Sequence, residues 1–129
     1  MKLTAQDALD LAKAFREAAK GVGDYLYGNW NALSAADRSR LRSMDVTLMN
    51  VATDLVTHAV GITIDTGQVS LSDLAGAAKV ATDAFQKIAD AKKSIVITTA
   101  LIGLAAAIPT GNIATIVAAF QNLKKSTAT

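Results

Sequence analysis

The segment from Ser94 to Leu123 reads SIVITTALIGLAAAIPTGNIATIVAAFQNL and contains no charged side chain. Two lysines precede it and two follow it, while Pro109-Thr110-Gly111-Asn112 interrupts it near the middle. Proline ends a helix, and asparagine is a favoured first cap of the next one. The segment therefore predicts a helical hairpin over residues 94–125, with the lysines at its open end.

Composition is typical of a single helical domain over residues 1–129. Apolar residues make up 51% of the chain and charged residues 19%, and there is no cysteine. A chain of this size can bury a core without disulfides or metal. The formal net charge is only +2, which is too small for the basic surface expected of a nucleic-acid-binding protein.

Three helix starts are predicted by a hydroxyl residue three positions before an acid: Thr4 with Asp7, Ser34 with Asp37 and Ser70 with Asp73. This spacing caps the free amides of a first turn. The first helix is predicted from about Ala5 to Lys20, where Gly21 and Gly23 loosen or end it, although the apolar phase from Val22 to Tyr27 also suits an extra turn. The second is predicted from Ala35 to about Val60, because its apolar residues recur every three or four positions.

The region between the second and third helices is open to two interpretations. Residues 62–64 and 69–71 alternate around Asp65-Thr66-Gly67-Gln68, which suits either a miniature β-hairpin or an ordered loop. The third helix should begin at Leu71 or Ser72 and reach about Lys93. Its apolar phase continues into residues 95–102, so residues 71–108 are compatible with one helix or with two, the second capped by Ser94. A last helix should end near Lys125, giving an all-α bundle of four to five helices.

Catalytic and metal-binding residue types are scarce. The chain has one histidine, one glutamate and no cysteine, so it lacks the proton carriers, nucleophiles and ligands that most enzymes need. His58 is expected to complement the carboxyl end of the second helix. The loop after Ile62 has the wrong residues for calcium, because Ile62 and Ile64 would occupy ligand positions. We therefore expect no enzyme activity, cofactor, metal or small-molecule substrate.

Two further clusters each have a structural and a functional interpretation. Arg38, Arg40 and Arg42 lie in the first turns of the second helix, where positive charge opposes the helix dipole. A solvated face is favoured over an anionic partner. Tyr25, Tyr27 and Trp30 are expected to close the end of the bundle rather than to anchor a membrane or a partner.

The function predicted from this pattern is that of a non-enzymatic interaction or structural protein. A soluble hairpin that is apolar almost all round must be buried in its own domain or against another molecule, so self-association or a protein partner is expected. Small residues four apart, Gly103 with Ala107 and Ala114 with Ala118, permit close helix approach. The candidate interaction residues are Ile95, Ile97, Leu101, Ile102, Gly103, Leu104, Ile108, Pro109, Ile113, Ile116, Val117, Phe120, Lys92, Lys93, Lys124 and Lys125.

The alternative is a membrane-active protein that inserts the 94–123 hairpin into lipid, in the manner of helical pore formers. Each arm alone is too short for the ~30 Å hydrocarbon layer, but the flanking lysines suit an anionic surface. The residues after Met1 lack the apolar core of a secretory signal. The sequence therefore leaves the location open: a cytoplasmic protein is the default, membrane association is the alternative, and secretion would need another export route.

Overall fold

The computed structural model describes residues 1–88 and 90–128 of the chain, and within these residues the protein is all-α. Five α-helices occur there, and a short 3-10 turn follows α1 and another follows α4. The helices are α1 (Ala5–Gly28), α2 (Ala35–His58), α3 (Leu71–Ala84), α4 (Ala91–Ala107) and α5 (Ile113–Thr127), and the 3-10 turns are Trp30–Ala32 and Ile108–Thr110.

The hydroxyl residues predicted to start the first three helices are confirmed as their N-caps. The Thr4 hydroxyl accepts a hydrogen bond from the Asp7 amide at 3.1 Å, and the Asp7 carboxylate accepts one from the Thr4 amide at 2.9 Å. Ser70 and Asp73 form the same reciprocal pair. Each such cap satisfies amides that have no partner inside the helix.

The first helix is longer than its glycines suggested. It continues through Gly21 and Gly23 to Gly28, eight residues beyond the predicted end at Lys20. Val22 and Leu26 lie beyond that end and are both fully buried. Burial of this apolar face outweighs the helix propensity that glycine lacks, about 1 kcal/mol per residue relative to alanine.

The third and fourth helices are separate. The helix α3 ends at Ala84, and α4 begins at Ala91 with Asp90 as its N-cap. The Asp90 carboxylate accepts a hydrogen bond from the Lys92 amide at 2.8 Å. The prediction that the third helix reaches Lys93 is therefore wrong. The prediction that Ser94 caps a fourth helix is also wrong, because Asp90 is the cap. Ala89, in the connection between α3 and α4, lies outside the described residues.

The loop before α3 binds the N-terminal residues. Lys2 and Thr63 form an isolated antiparallel bridge, supported by hydrogen bonds from the Leu3 amide to the Ile62 carbonyl and from the Ile64 amide to the Met1 carbonyl, each 2.8 Å. No strand forms in residues 1–88 or 90–128, so the miniature β-hairpin over residues 62–71 is not confirmed.

The core lies between α1, α2 and α4, with α3 packed on α1 and α5 packed on α4. The helix α4 buries a broad apolar face in it. The bulkiest fully buried side chains come from the N-terminal segment, from α1 to α4 and from the loop before α3: Leu3, Leu11, Phe15, Leu26, Leu41, Leu48, Leu55, Ile64, Leu74, Ile97, Leu101 and Leu104. The buried apolar residues of α4 thus form part of the core of the single chain.

Candidate interaction surface on α4 and α5

The bulky members of the predicted interaction set are divided between the core and the surface. Six of them are buried: Ile97, Leu101, Leu104, Ile108, Ile116 and Phe120. Their side chains already contact the rest of the fold, so a partner could reach them only if the helices separated. Another five apolar members are half-buried and border the surface: Ile95, Ile102, Pro109, Ile113 and Val117.

The exposed positions of α4 after Lys92 form one narrow face. Val96, Thr99, Gly103 and Ala106 are exposed and recur at spacings of three and four, which places them along one side of the helix. We call these four residues the α4 outer face. It extends about 15 Å along the helix, and Ile95 and Ile102 lie along one edge of it. An exposed helix face is normally charged or polar. This face begins one turn after the exposed Lys92, and from Val96 to Ala106 it carries no charge. Val96 is 45% exposed.

Gly103 is the flattest point of the α4 outer face. A Cβ added there would meet no other atom of the protein within 4 Å. Nothing inside the monomer therefore requires glycine at this position. A helix of another molecule could approach the backbone closely at such a point.

Of the two predicted pairs of small residues, Gly103 with Ala107 and Ala114 with Ala118, only the second is exposed at both positions. Ala107 is buried, so it does not extend the exposed surface beside Gly103. Ala114 and Ala118 of α5 are both exposed. With Ile113, Val117 and Gln68 they line a shallow, mainly apolar recess of about 370 Å³.

The four predicted lysines lie at the start of α4 and the end of α5. The Lys93 ammonium donates a hydrogen bond to the Ala128 carbonyl at 3.3 Å, which joins these two helix ends. The Lys124 ammonium lies 5.4 Å from the centre of the Phe120 ring, within the range of a cation–π interaction. Lys92, Lys124 and Lys125 are exposed. Asp90 caps the same end of α4, and Asp73 lines the same recess as Lys124, so acidic side chains partly balance these lysines.

Two polar side chains are fully buried on α4. The Thr98 hydroxyl donates to the Ser94 carbonyl at 2.8 Å, which is a common way for a threonine to satisfy its hydroxyl inside a helix. The Ser94 hydroxyl has no hydrogen-bond partner among the described residues. Sequence reasoning gave Ser94 a capping role and missed this burial, because burial depends on the helices packed around α4.

The aromatic residues near the end of α1 have separate environments. Tyr25 is buried, but Tyr27 is 61% exposed and stacks on Trp30 with ring centres 5.7 Å apart. The Arg38 guanidinium lies 5.1 Å from the centre of the Trp30 ring, and its Nε donates to the Trp30 carbonyl at 2.7 Å. Arg38 therefore has a local role in fixing the turn between α1 and α2. Tyr25 belongs to the core and Trp30 is half-buried against it, whereas Tyr27 is exposed.

One helical segment in the described part of the chain is long and apolar enough to cross a membrane. It runs from Ala91 to Thr110, has a mean hydropathy of 1.6 in its most apolar window, and buries half of that window inside the protein. The core helix of a soluble protein meets the same criteria. Within residues 1–88 and 90–128, no three His, Asp or Glu side chains form a group that could hold a metal ion.

No protein-family model, curated protein or solved structure significantly matches this chain.

Proposed function

We propose that the protein is a non-enzymatic helical interaction module that self-associates through the C-terminal hairpin formed by α4 and α5. The observation that carries this proposal is the α4 outer face, which has no charged side chain. Val96 is 45% exposed on it, and a Cβ added at Gly103 would have nothing within 4 Å. The same face of a second copy is a suitable partner, because two uncharged faces can pack together without burying a charge.

The geometry of the face sets how two copies would meet. Thr99 and Gly103 are four residues apart, so two such helices can cross with their backbones close together at Gly103. Ile95 and Ile102 would then pack beside the crossing point. Stable interfaces bury about 800 Å² per partner, which a face of about 15 Å cannot supply alone. We therefore expect a weak dimer, with a dissociation constant on the order of micromolar.

Gly103→Leu tests this proposal without disturbing the monomer. The leucine side chain would project into open space within one molecule but would separate two molecules that cross at Gly103. We expect the mass measured by sedimentation equilibrium to rise with concentration for the wild type and to stay at the monomer value for Gly103→Leu.

Gly76→Leu is the matched control, because Gly76 is also a helical glycine with nothing within 4 Å of an added Cβ. This variant should retain the concentration dependence of the wild type. A wild-type protein that stays monomeric at millimolar concentration, or a Gly103→Leu variant that still dimerises, would refute self-association through this face.

Membrane insertion is the second candidate function, and the length and apolar character of Ala91–Thr110 favour it. Lys92, Lys93, Lys124 and Lys125 would each gain on the order of 1 kcal/mol near an anionic bilayer. Insertion would require α4 to leave the core, because Ile97, Leu101 and Leu104 are buried there. The inserted state would thus compete with the folded monomer.

Flotation with anionic liposomes at low salt and mildly acid pH tests this second function. Ile102→Asp should weaken flotation, since an acid at the bilayer centre costs on the order of 3 kcal/mol. Val46→Asp is the control, because Val46 is 58% exposed on α2. A wild-type protein that stays in the soluble fraction would exclude membrane insertion under these conditions.

A further inference from the structure

Arg16 is a half-buried cation on the side of α1 that borders α2. Its Nε atom is buried and has no hydrogen-bond partner among the described residues. Gly23 follows seven residues later and lies on the same side of α1, because seven residues make almost two full turns. A Cβ added to Gly23 would be 3.4 Å from Oδ2 of Asp45 in α2. Arg16 therefore lies about 10 Å along α1 from the point that Asp45 contacts.

Asp45 is a half-buried acid on the other side of this boundary. Burial raises the pKa of its carboxyl above the ordinary value of 3.8, whereas a close cation would lower it. Arg42 is exposed one turn earlier on α2 and does not offset this shift. Arg16 and Asp45 thus carry opposite charges that are only partly solvated within one chain.

The space between these two charges is apolar. The helices α1 and α2 run antiparallel, since the residues before α1 pair with those after α2 through the bridge of Lys2 with Thr63. Met49 follows Asp45 by one turn, which places it between Asp45 and the level of Arg16, and it is 38% exposed. We call Arg16, Gly23, Asp45 and Met49 the α1–α2 seam. It has a cation at one end, an acid at the other and an exposed methionine between them.

The charges of the α1–α2 seam are complementary to those of a second copy in one orientation. A two-fold axis that crosses the seam near Met49 reverses the direction of the second copy. It places Asp45 of that copy beside Arg16 and repeats the same pair at the other end. The opposite orientation would place Arg16 beside Arg16 of the second copy, which is repulsive. Charge therefore selects both the occupant of the seam and its direction.

We propose that two dimers formed through the α4 outer face join through the α1–α2 seam into a closed tetramer, in which Arg16 of each copy pairs with Asp45 of another. The tetramer rests on the self-association proposed above. Each pair would form charge-assisted hydrogen bonds between a guanidinium and a carboxylate that are already half-buried. The seam pairs charges about 10 Å apart, so one such contact is much smaller than the 800 Å² or so that a stable interface buries per partner.

Closure makes two weak contacts effective together. In a tetramer with two kinds of two-fold interface, two dimers meet through two seam contacts at once. The first contact raises the effective concentration for the second. Gly103→Leu removes the dimers and leaves only single seam contacts, so this variant is expected to remain monomeric.

Sedimentation equilibrium over a concentration series tests the tetramer. We expect the mass of the wild type to rise beyond the dimer to four times the 13.4 kDa of one chain. Arg16→Asp and Asp45→Arg should each stop at the dimer, because each places like charges at both ends of the seam. Lys79→Asp on α3 and Asp54→Arg on α2 make the same charge changes at exposed positions outside the seam, and both should still reach the tetramer.

Mixing the two charge-reversed proteins gives the sharpest result. Arg16→Asp presents two acids at its seam and Asp45→Arg presents two cations, so the two chains complement each other at both ends. An equal mixture should form tetramers although neither protein does so alone. A pair between Arg16 and Asp45 of the same chain could not give this result. Recovery of the tetramer also shows that both variants are folded.

The neutral variants Arg16→Gln and Asp45→Asn remove the attraction without adding repulsion. Each should raise the concentration needed for half-maximal tetramer formation several-fold. A mixture of the charge-reversed proteins that stays dimeric, or single variants that still form tetramers, would overturn the proposal. A wild type that stops at the dimer would remove the seam contact alone and leave the α4 dimer intact. A wild type that stays monomeric would remove both.

Discussion

Gly21 in α1 lies directly against Phe85 at the end of α3: a Cβ added to Gly21 would be 3.2 Å from Cδ2 of the phenyl ring. Real Cβ atoms rarely come so close to a neighbour, so glycine makes this approach of the two helices possible. Phe85 is only 5% exposed. The contact fixes the point at which the chain leaves α3, just before the connection to α4.

We predict that Gly21→Val destabilises the protein. The added isopropyl group would crowd the Phe85 ring and the Thr82 side chain, and overpacking of this kind costs about 1–3 kcal/mol. Urea denaturation should show a lower midpoint with an unchanged slope. Phe85→Leu in the same protein should recover part of the loss, because the smaller side chain removes the crowding.

Gly76→Val is the control for this substitution, since it gives valine to a helical glycine that has open space around it. Its stability should equal or slightly exceed that of the wild type, because valine has the higher helix propensity. If Gly21→Val were as stable as Gly76→Val, the close approach to Phe85 would have no energetic consequence.

We predict that Leu3→Ala costs about 2–5 kcal/mol, the usual range for removing a buried leucine side chain. Leu3 is 2% exposed, although it lies only two residues from the N-terminus. Leu9→Ala is the matched control at an exposed position, with 44% of its side chain accessible. Equal thermal midpoints for the two variants would show that the N-terminal segment does not contribute to the core.

The sequence predicts those parts of the fold that depend on near neighbours. The caps at Thr4, Ser34, Ser70 and Asn112 are confirmed, because each is a hydrogen bond to an amide three residues away. The pairing of Lys2 with Thr63 could not be predicted in this way. It joins segments about sixty residues apart, and nothing local distinguishes it from a hairpin with residues 69–71.

The two errors in helix length have the same cause. The glycine at position 21 predicts that α1 loosens or ends there. For α3 the sequence predicts a helix that reaches about Lys93, because no glycine or proline marks an earlier end. In the structure, Gly21 is retained within α1 where Phe85 packs on it, and α3 ends at Ala84, one residue before that contact. Tertiary contacts thus override helix propensity at both positions. The division of the α4 and α5 residues into buried and exposed sets depends on the same long-range packing.

We predict that Ser70→Ala destabilises the protein by about 1 kcal/mol at neutral pH, the typical cost of losing an N-cap side chain. The Ser70 hydroxyl accepts a hydrogen bond from the Asp73 amide at 3.0 Å, and alanine cannot replace it. Ser72→Ala should have a much smaller effect, because Ser72 is exposed within the first turn of α3. Comparable losses in both variants would contradict the capping role.

The other half of this cap should depend on pH. Hydrogen bonds with Ser70 lower the pKa of Asp73 from its ordinary value of 3.8. The bond from the Ser70 backbone amide has the largest effect, and the bond with the Ser70 side chain adds to it. A carboxylate with a lowered pKa stabilises the folded state fully above the unfolded value, and this contribution is lost as the pH falls through the folded pKa. Asp73→Asn should therefore be less stable than the wild type at pH 7, with the gap in thermal midpoint narrowing below pH 3.8. A gap that stays constant as the pH falls would contradict the assignment.

The last prediction concerns the contribution of α4 to the core. Leu101→Ala should cost about 2–5 kcal/mol, because Leu101 is fully buried. Val96→Ala should change stability by less than about 0.5 kcal/mol, because Val96 belongs to the exposed α4 outer face. Chemical denaturation of the full chain measures both values, and equal losses would contradict the division of α4 into a buried and an exposed face.

Deletion of residues 95–123 extends this prediction to the whole segment. It removes Ile97, Leu101 and Leu104, which are among the largest fully buried side chains, and it leaves the faces of α1 and α2 that pack on α4 open to water. We expect the shortened protein to lose cooperative thermal unfolding and its near-ultraviolet circular dichroism, since a core without α4 cannot offset the conformational entropy of the remaining chain. If this shortened protein melts cooperatively at a temperature near that of the full chain, the C-terminal helices are an appendage. The apolar face of α4 would then be free to serve a partner or a membrane in its entirety.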